Sequence, residues 1–247
     1  MMEEKNTQGG FWETTKTGGF AVVIALFIRT VFAEPFRIPS GSMIPTLLVG
    51  DYLFVSKMSY GYSRHSLPLS MPLIKDRIFY TQPERGDVIV FKMPSDNKTD
   101  YIKRLIGLPG DKIQMKDGRL FINGEMVNRK SEGEYVMRDE SGKAMRFEKY
   151  TETLPNGRQH PILEATDEGP FDNTEEFTVP EDHFFMMGDN RDNSLDSRSL
   201  KVGFVPKNNL VGRAKFLFFS HDDSAAWWQV YKWPMAVRWS RLFNGIK

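Results

Sequence analysis

Asp100-Tyr101-Ile102-Lys103-Arg104-Leu105-Ile106-Gly107-Leu108-Pro109-Gly110-Asp111 is the stretch whose reading decides the fold. Tyr101 to Ile106 has the aromatic and aliphatic content of a β-strand. Gly107 to Asp111 then closes it with a turn. Strand alternation puts Tyr101, Lys103 and Leu105 on one face and Ile102, Arg104 and Ile106 on the other. Whichever face is buried, a cation goes in with it. The ordinary explanation is a lysine that snorkels or pairs with a carboxylate. The chemical one is a lysine held neutral by desolvation. Its unperturbed pKa of about 10.4 rules it out as a base near neutral pH, and burial can lower that by several units.

Strand character continues outward in both directions. Tyr52-Leu53-Phe54-Val55 and Asp87-Val88-Ile89-Val90-Phe91 precede the stretch. Asp117-Gly118 and Asn123-Gly124 mark tight hairpins around Arg119 to Ile122. Phe184 to Gly188, Val202 to Pro206 and Val211 to Phe219 supply further strands, while about Asn128 to Asn173 is polar and predicts irregular chain. There is no internal repeat and no low-complexity block. The pattern is that of an all-β body with an insertion between two halves of its core.

The N-terminus has a different character. Gly18 to Phe36 is mostly apolar, and as a helix its 19 residues would span roughly 28 Å, close to a ~30 Å hydrocarbon core. A buried core helix would be amphipathic, and this stretch is apolar all round. Val31-Phe32-Ala33 has the small-x-small form of a signal-peptide cleavage site. Arg29 sits badly in that alternative, so a retained transmembrane anchor over 18–36 is expected, behind a disordered tail over 1–17.

Composition narrows the function. The 33 basic and 32 acidic residues of this 247-residue chain nearly cancel, against a nucleic-acid partner. No cysteine is present, which excludes disulfides, zinc–thiolate sites and cysteine nucleophiles. His65, His160, His183 and His221 follow no ligand spacing and are expected at the surface. Counted from Asp189, an EF-hand needs Gly sixth and Glu twelfth, but Ser194 and Leu200 stand there. No metal or cofactor site is expected.

Pro39-Ser40-Gly41-Ser42-Met43-Ile44-Pro45-Thr46-Leu47 follows the apolar segment. It is either an ordinary turn leaving the membrane or a stiff turn presenting a hydroxyl. A serine with no histidine at hand needs another base, such as a neutral lysine.

Three motifs occur in order: Pro-Ser-Gly-Ser-Met-x-Pro-Thr-Leu from Pro39, Tyr-Ile-Lys-Arg-x-x-Gly-Leu-Pro-Gly-Asp from Tyr101, and Gly-Asp-Asn-Arg-Asp-Asn-Ser-x-Asp-Ser-Arg from Gly188. Together they resemble bacterial type I signal peptidases, over about Phe36 to Asp111 and Phe184 to Ala214. The resemblance implies a mainly β fold, an antiparallel β catalytic core with an inserted β-rich domain, behind one N-terminal transmembrane helix. The expected core is 37–112 and 183–220, with the insert at 113–182 and a C-terminal segment at 221–247.

It also implies a membrane-bound serine endopeptidase. Ser42 matches the nucleophile and Lys103 the general base. Ser40 matches the hydroxyl that joins the Ser42 N–H in an oxyanion hole. Ser194 matches the residue that orients the lysine, and Asp196 and Arg198 a supporting ion pair. Met43 is grouped with these supporting residues, and Gly188, Asp189 and Asn190 match scaffold. The implied substrates are secreted preproteins cut after a small-x-small sequence, and membrane lipid is an expected partner. The implied place is the bacterial cytoplasmic membrane, with a cytoplasmic N-terminus and the catalytic domain outside. Better-known relatives have two anchors, whereas this chain shows one.

Two other classes compete. A self-cleaving repressor of the Ser–Lys type would have a DNA-binding head, and residues 1–36 offer none. A catalytically silent membrane-tethered binding module would be expected to lack Ser42 or Lys103. From Ala225 onward the resemblance ends. Trp227, Trp228, Trp233 and Trp239 alternate with Lys232, Arg238, Arg241 and Lys247, which suits either an interfacial element or a tail packed on the core.

Overall fold

The computed structural model describes residues 8–67, 70–138, 143–222, 224 and 228–247. Seven strands make its largest sheet: β1 (Ala33–Arg37), β2 (Asp51–Ser56), β3 (Val88–Lys92), β4 (Asp100–Gly107), β12 (His183–Met187), β13 (Val205–Pro206) and β14 (Leu210–Ser220). Their order is β1-β2-β14-β3-β4-β12-β13, with every neighbouring pair antiparallel. Alternate residues of β3 feed two different cores. Val88 and Val90 pack with Met43, Leu47, Leu53 and Val55, while Ile89 and Phe91 pack with Leu105, Phe184 and Met186. The sheet is therefore covered on both sides. Strand β4 buries both of its cations, Lys103 at 3% exposure and Arg104 at 1%.

Between β4 and β12 the chain builds two smaller sheets. One has the order β11-β5-β6-β7, from β5 (Lys112–Lys116), β6 (Arg119–Ile122), β7 (Glu125–Met126) and β11 (Phe177–Thr178). Both expected hairpins are there. Asp117 and Gly118 have φ of 47° and 67°, and Asn123 and Gly124 have 55° and 82°, the two positive values that a type I′ turn requires. Ile113, Met115, Leu120 and Ile122 of this sheet share a core with Ile106, Phe185 and Met187 of the large one.

The other small sheet corrects the reading of the residue pattern, while agreeing with the β-rich insert that the resemblance implies. Where irregular chain was expected between Asn128 and Asn173, β8 (Asn128–Arg138), β9 (Ala144–Thr153) and β10 (Gln159–Glu164) pair in the order β10-β9-β8. Strand β8 is exposed over most of its length, so it needs few apolar residues and shows little alternation. Conversely, the strand expected over Val202–Pro206 shrinks to Val205–Pro206.

The N-terminus differs as well. Helix α1 (Gln8–Val31) begins inside the expected disordered tail, of which residues 1–7 lie outside the described residues. Contacts one turn apart support this start: Thr17 Oγ1 donates to Glu13 O at 2.9 Å, and Lys16 Nζ lies 5.3 Å from the Trp12 ring centroid. At its other end the helix stops short of Phe36. Pro35 cannot continue a helix, and Ala33–Arg37 instead joins the edge of the sheet with Pro35 opposite Phe54. Among the described residues no helix is long and apolar enough to cross a membrane. Phe20, Val22, Val23, Ile24 and Phe27 of α1 are exposed.

The C-terminal segment takes one of the two alternatives left open by its sequence, a tail packed on the core. It packs on β14 through backbone bonds from Leu217 N to Asn244 O and from Phe243 N to Leu217 O. Yet Trp228, Trp233, Trp239, Tyr231, Met235 and Phe243 remain exposed. Residues 225–227, including Trp227, lie outside the described residues.

Candidate active site

After β1 the chain leaves the sheet into a 3-10 turn, Gly41–Met43. Pro39 and Pro45 bracket it and stop a longer helix from forming. A loop far away in sequence fixes the turn: Asn190 N donates to Ser42 O at 3.1 Å, and Asn190 Nδ2 to Gly41 O at 3.2 Å. Gly188 lets the two segments meet. A Cβ there would lie 2.2 Å from Ser194 Oγ and 2.5 Å from Ser42 O, distances that no side chain can occupy. Met43 anchors the turn in the core, fully buried.

Ser42 is buried, and Lys103 Nζ reaches it from β4, 2.5 Å from Ser42 Oγ. Their register explains the meeting. Lys103 lies opposite Ile89 in the middle of the sheet, where its side chain is almost wholly enclosed. Among the described residues no carboxylate lies within ion-pair distance of Lys103, unlike Arg104, whose guanidinium takes both Asp189 oxygens at 2.8 and 2.7 Å. Burial pushes the Lys103 pKa down to about 8; Asp196 and Asp189 oppose the shift and Arg198 adds to it. The Tyr101 ring, 5.5 Å from Nζ, lies alongside.

Ser42 and Lys103 open onto a cleft of about 390 Å³ lined also by Ser40, Thr99, Ile102, Asn193 and Leu195. Ser40 is exposed in its wall, and its hydroxyl does not cap the turn. No histidine lines the cleft. His65 and His160, expected at the surface, are buried elsewhere at 5% and 3% exposure. His65 Nδ1 sits 3.1 Å from Ser70 Oγ, and His160 Nε2 lies 3.3 Å from Glu152 Oε2. Isolated histidines in a polar stretch carry no burial signal.

The third motif lies behind the dyad. Asp196 and Arg198 form a buried ion pair, Nε to Oδ1 at 2.9 Å, and Asp196 Oδ2 also accepts from Gly188 N at 3.0 Å. Arg198 holds the Asp196 carboxyl below its usual range against the effect of burial. Ser194 is buried close to Gly188, with its hydroxyl not engaged in a hydrogen bond.

Thr46, Arg104 and Asp189 stand in three separate motifs of the sequence. The three form one cluster, with Thr46 Oγ1 donating to Asp189 Oδ2 at 2.5 Å. Arg191 and Glu152, also a buried pair, tie the β10-β9-β8 sheet to the loop that carries Ser194. The available signal was the number of charged residues in strands buried on both faces, each of which must find a partner.

A family described as "Signal peptidase, peptidase S26" matches residues 11–219. The signal peptidase I of Rickettsia canadensis (strain McKiel) is 42% identical over 260 residues, covering 98% of this chain and 96% of its own. That of Rickettsia typhi (strain ATCC VR-144 / Wilmington) is 43% identical, covering 92% and 90%. A solved signal peptidase I from Enterococcus faecalis V583 shares 28% identity with a TM-score of 0.31, over 54% of this chain and 97% of the other.

Proposed function

Since the chain belongs to the signal peptidase family, peptidase S26, enzymes that remove signal peptides from preproteins, we propose that it does so with a Ser42–Lys103 dyad. The observation that carries this is the 2.5 Å approach of a buried, carboxylate-free Lys103 to the Ser42 hydroxyl at the floor of a cleft. Neutral Lys103 takes the proton as Ser42 Oγ attacks the scissile carbonyl. The developing oxyanion is held by the Ser42 N–H and the Ser40 hydroxyl. The lysine ammonium then protonates the leaving amine, and a water activated by the same lysine releases the acyl-enzyme. Ser194 has a hydroxyl to spare and orients the ammonium when it forms. Asp196 and Arg198 hold that wall in place. This chemistry draws on no metal or cofactor.

The cleft is walled by Ile102 and Leu195, which suits the small residues of a small-x-small sequence. The core comprises 37–112 and 183–220, and 113–182 is an inserted β-rich domain, a division supported by its two separate sheets. The exposed apolar side chains of α1 and the exposed Trp228, Trp233 and Trp239 of the C-terminal segment favour contact with lipid. Although α1 by itself falls short of the length and apolarity of a spanning helix, these exposed side chains lead us to place it as a single-pass anchor in the bacterial cytoplasmic membrane. Its N-terminus is cytoplasmic and the dyad lies on the outer side. Purified full-length protein in detergent should cleave a preprotein after its small-x-small site, and Ser42→Ala and Lys103→Ala should not. Cleavage by either variant at the wild-type rate would remove that residue from the mechanism.

A further inference from the structure

The matched family stretch ends at residue 219, yet the structure runs the last ten residues back to the dyad. Arg241 grips Asp51, with Nη2 2.5 Å from Oδ2 and Nε 3.1 Å from Oδ1, and its Nη2 also donates to Thr46 O at 3.0 Å. Asp51 is fully buried and holds the turn after Ser42 through Leu48 N at 2.8 Å. Arg238 Nη1 reaches Val49 O at 2.9 Å. At the far end of the segment, Lys247 O accepts from Arg104 Nη1 at 3.0 Å, and Ile246 packs in the core beside Met43 and Leu47.

These contacts close a ring. Thr46 bonds Asp189, Asp189 pairs with Arg104, and Arg104 returns to Lys247. Thr46 lies four residues after Ser42, and Arg104 is next to Lys103. The C-terminal segment thus holds the supports of both dyad members at once. We propose that residues 238–247 are a positioning brace for the Ser42–Lys103 pair, with Arg241 as its principal positioning residue. This rests on the dyad proposed above. Arg241 touches neither the cleft nor the reacting atoms. It acts by fixing the distance between hydroxyl and amine, and a misplacement of about 1 Å can cost roughly a hundredfold in rate.

The test uses full-length protein with a preprotein substrate, comparing Arg241→Gln, Arg241→Lys, Phe243→Ala and Ser42→Ala. Arg241→Gln should lower kcat by about tenfold or more with KM within about twofold, in the temperature range where circular dichroism shows it folded. Arg241→Lys keeps the charge but loses the fork, so its kcat should fall in between. Should Arg241→Gln not fold, Arg241→Lys carries the test alone, and wild-type kcat in that variant would overturn the brace. Phe243, on the same segment but 75% exposed, should tolerate alanine with wild-type kcat. Wild-type kcat in folded Arg241→Gln, or an equal loss in Phe243→Ala, overturns the proposal. An active Ser42→Ala would instead show that the dyad itself was wrongly assigned.

Discussion

Replacing Lys103 with methionine should abolish cleavage and at the same time stabilise the fold below about pH 8. The side chain keeps its shape and loses its charge. Burial lowers the lysine from its ordinary 10.5 to about 8, and at about 1.4 kcal/mol per pH unit the native state forgoes about 3 kcal/mol whenever the group is protonated in both states. The unfolded chain binds the proton more tightly. The penalty is therefore full below pH 8, shrinks between 8 and 10.5, and is gone above. Methionine removes it but leaves Ser42 Oγ without its partner, which costs about 1 kcal/mol at every pH. The variant should thus exceed wild type by about 2 kcal/mol at pH 6 and fall about 1 kcal/mol below it near pH 11. Urea unfolding of both proteins at the two pH values measures the crossing. A stability difference that is the same at both would mean that Lys103 keeps an ordinary lysine pKa, and the neutral-base mechanism would lose its physical basis.

Other outcomes follow from the same geometry. Ser40→Ala should lower kcat by roughly 10²–10³ with little change in KM, as for a donor used mainly in the transition state; steady-state kinetics would show a KM-only effect if Ser40 serves binding instead. Gly188→Ala puts a methyl 2.2 Å from Ser194 Oγ and 2.5 Å from Ser42 O, so it should depress both melting temperature and kcat, whereas a variant with both unchanged would contradict the packing described. Intact-mass measurement of membrane-extracted protein should find the N-terminus retained despite Val31-Phe32-Ala33, and a dominant species starting at Glu34 would make the segment a processed signal.

The strands and tight turns were legible because each rests on local chemistry. Asp117-Gly118 and Asn123-Gly124 can hardly be anything but type I′ hairpins, and the motif stretches are in place around Ser42, Lys103 and Asp196. What stayed hidden depends on distant partners. The β8–β9 hairpin gives little strand signal because most of β8 is exposed and only Tyr135, Met137 and Phe147 meet a small core. The end of α1 is set by Pro35 finding Phe54 across a sheet edge. Buried Glu152, His160 and Arg191 come from three separate segments and meet only after folding. Arg241 looked like one of several basic residues among tryptophans until Asp51 stood opposite.

The central claim, a serine activated by a neutral lysine, is tested most directly by the pH dependence of kcat/KM on a preprotein substrate. The account predicts a rise from pH 6 to a plateau, with an apparent midpoint near 8, the value to which burial brings Lys103. A flat profile between about pH 6 and 10, in an enzyme that Ser42→Ala inactivates, would contradict it.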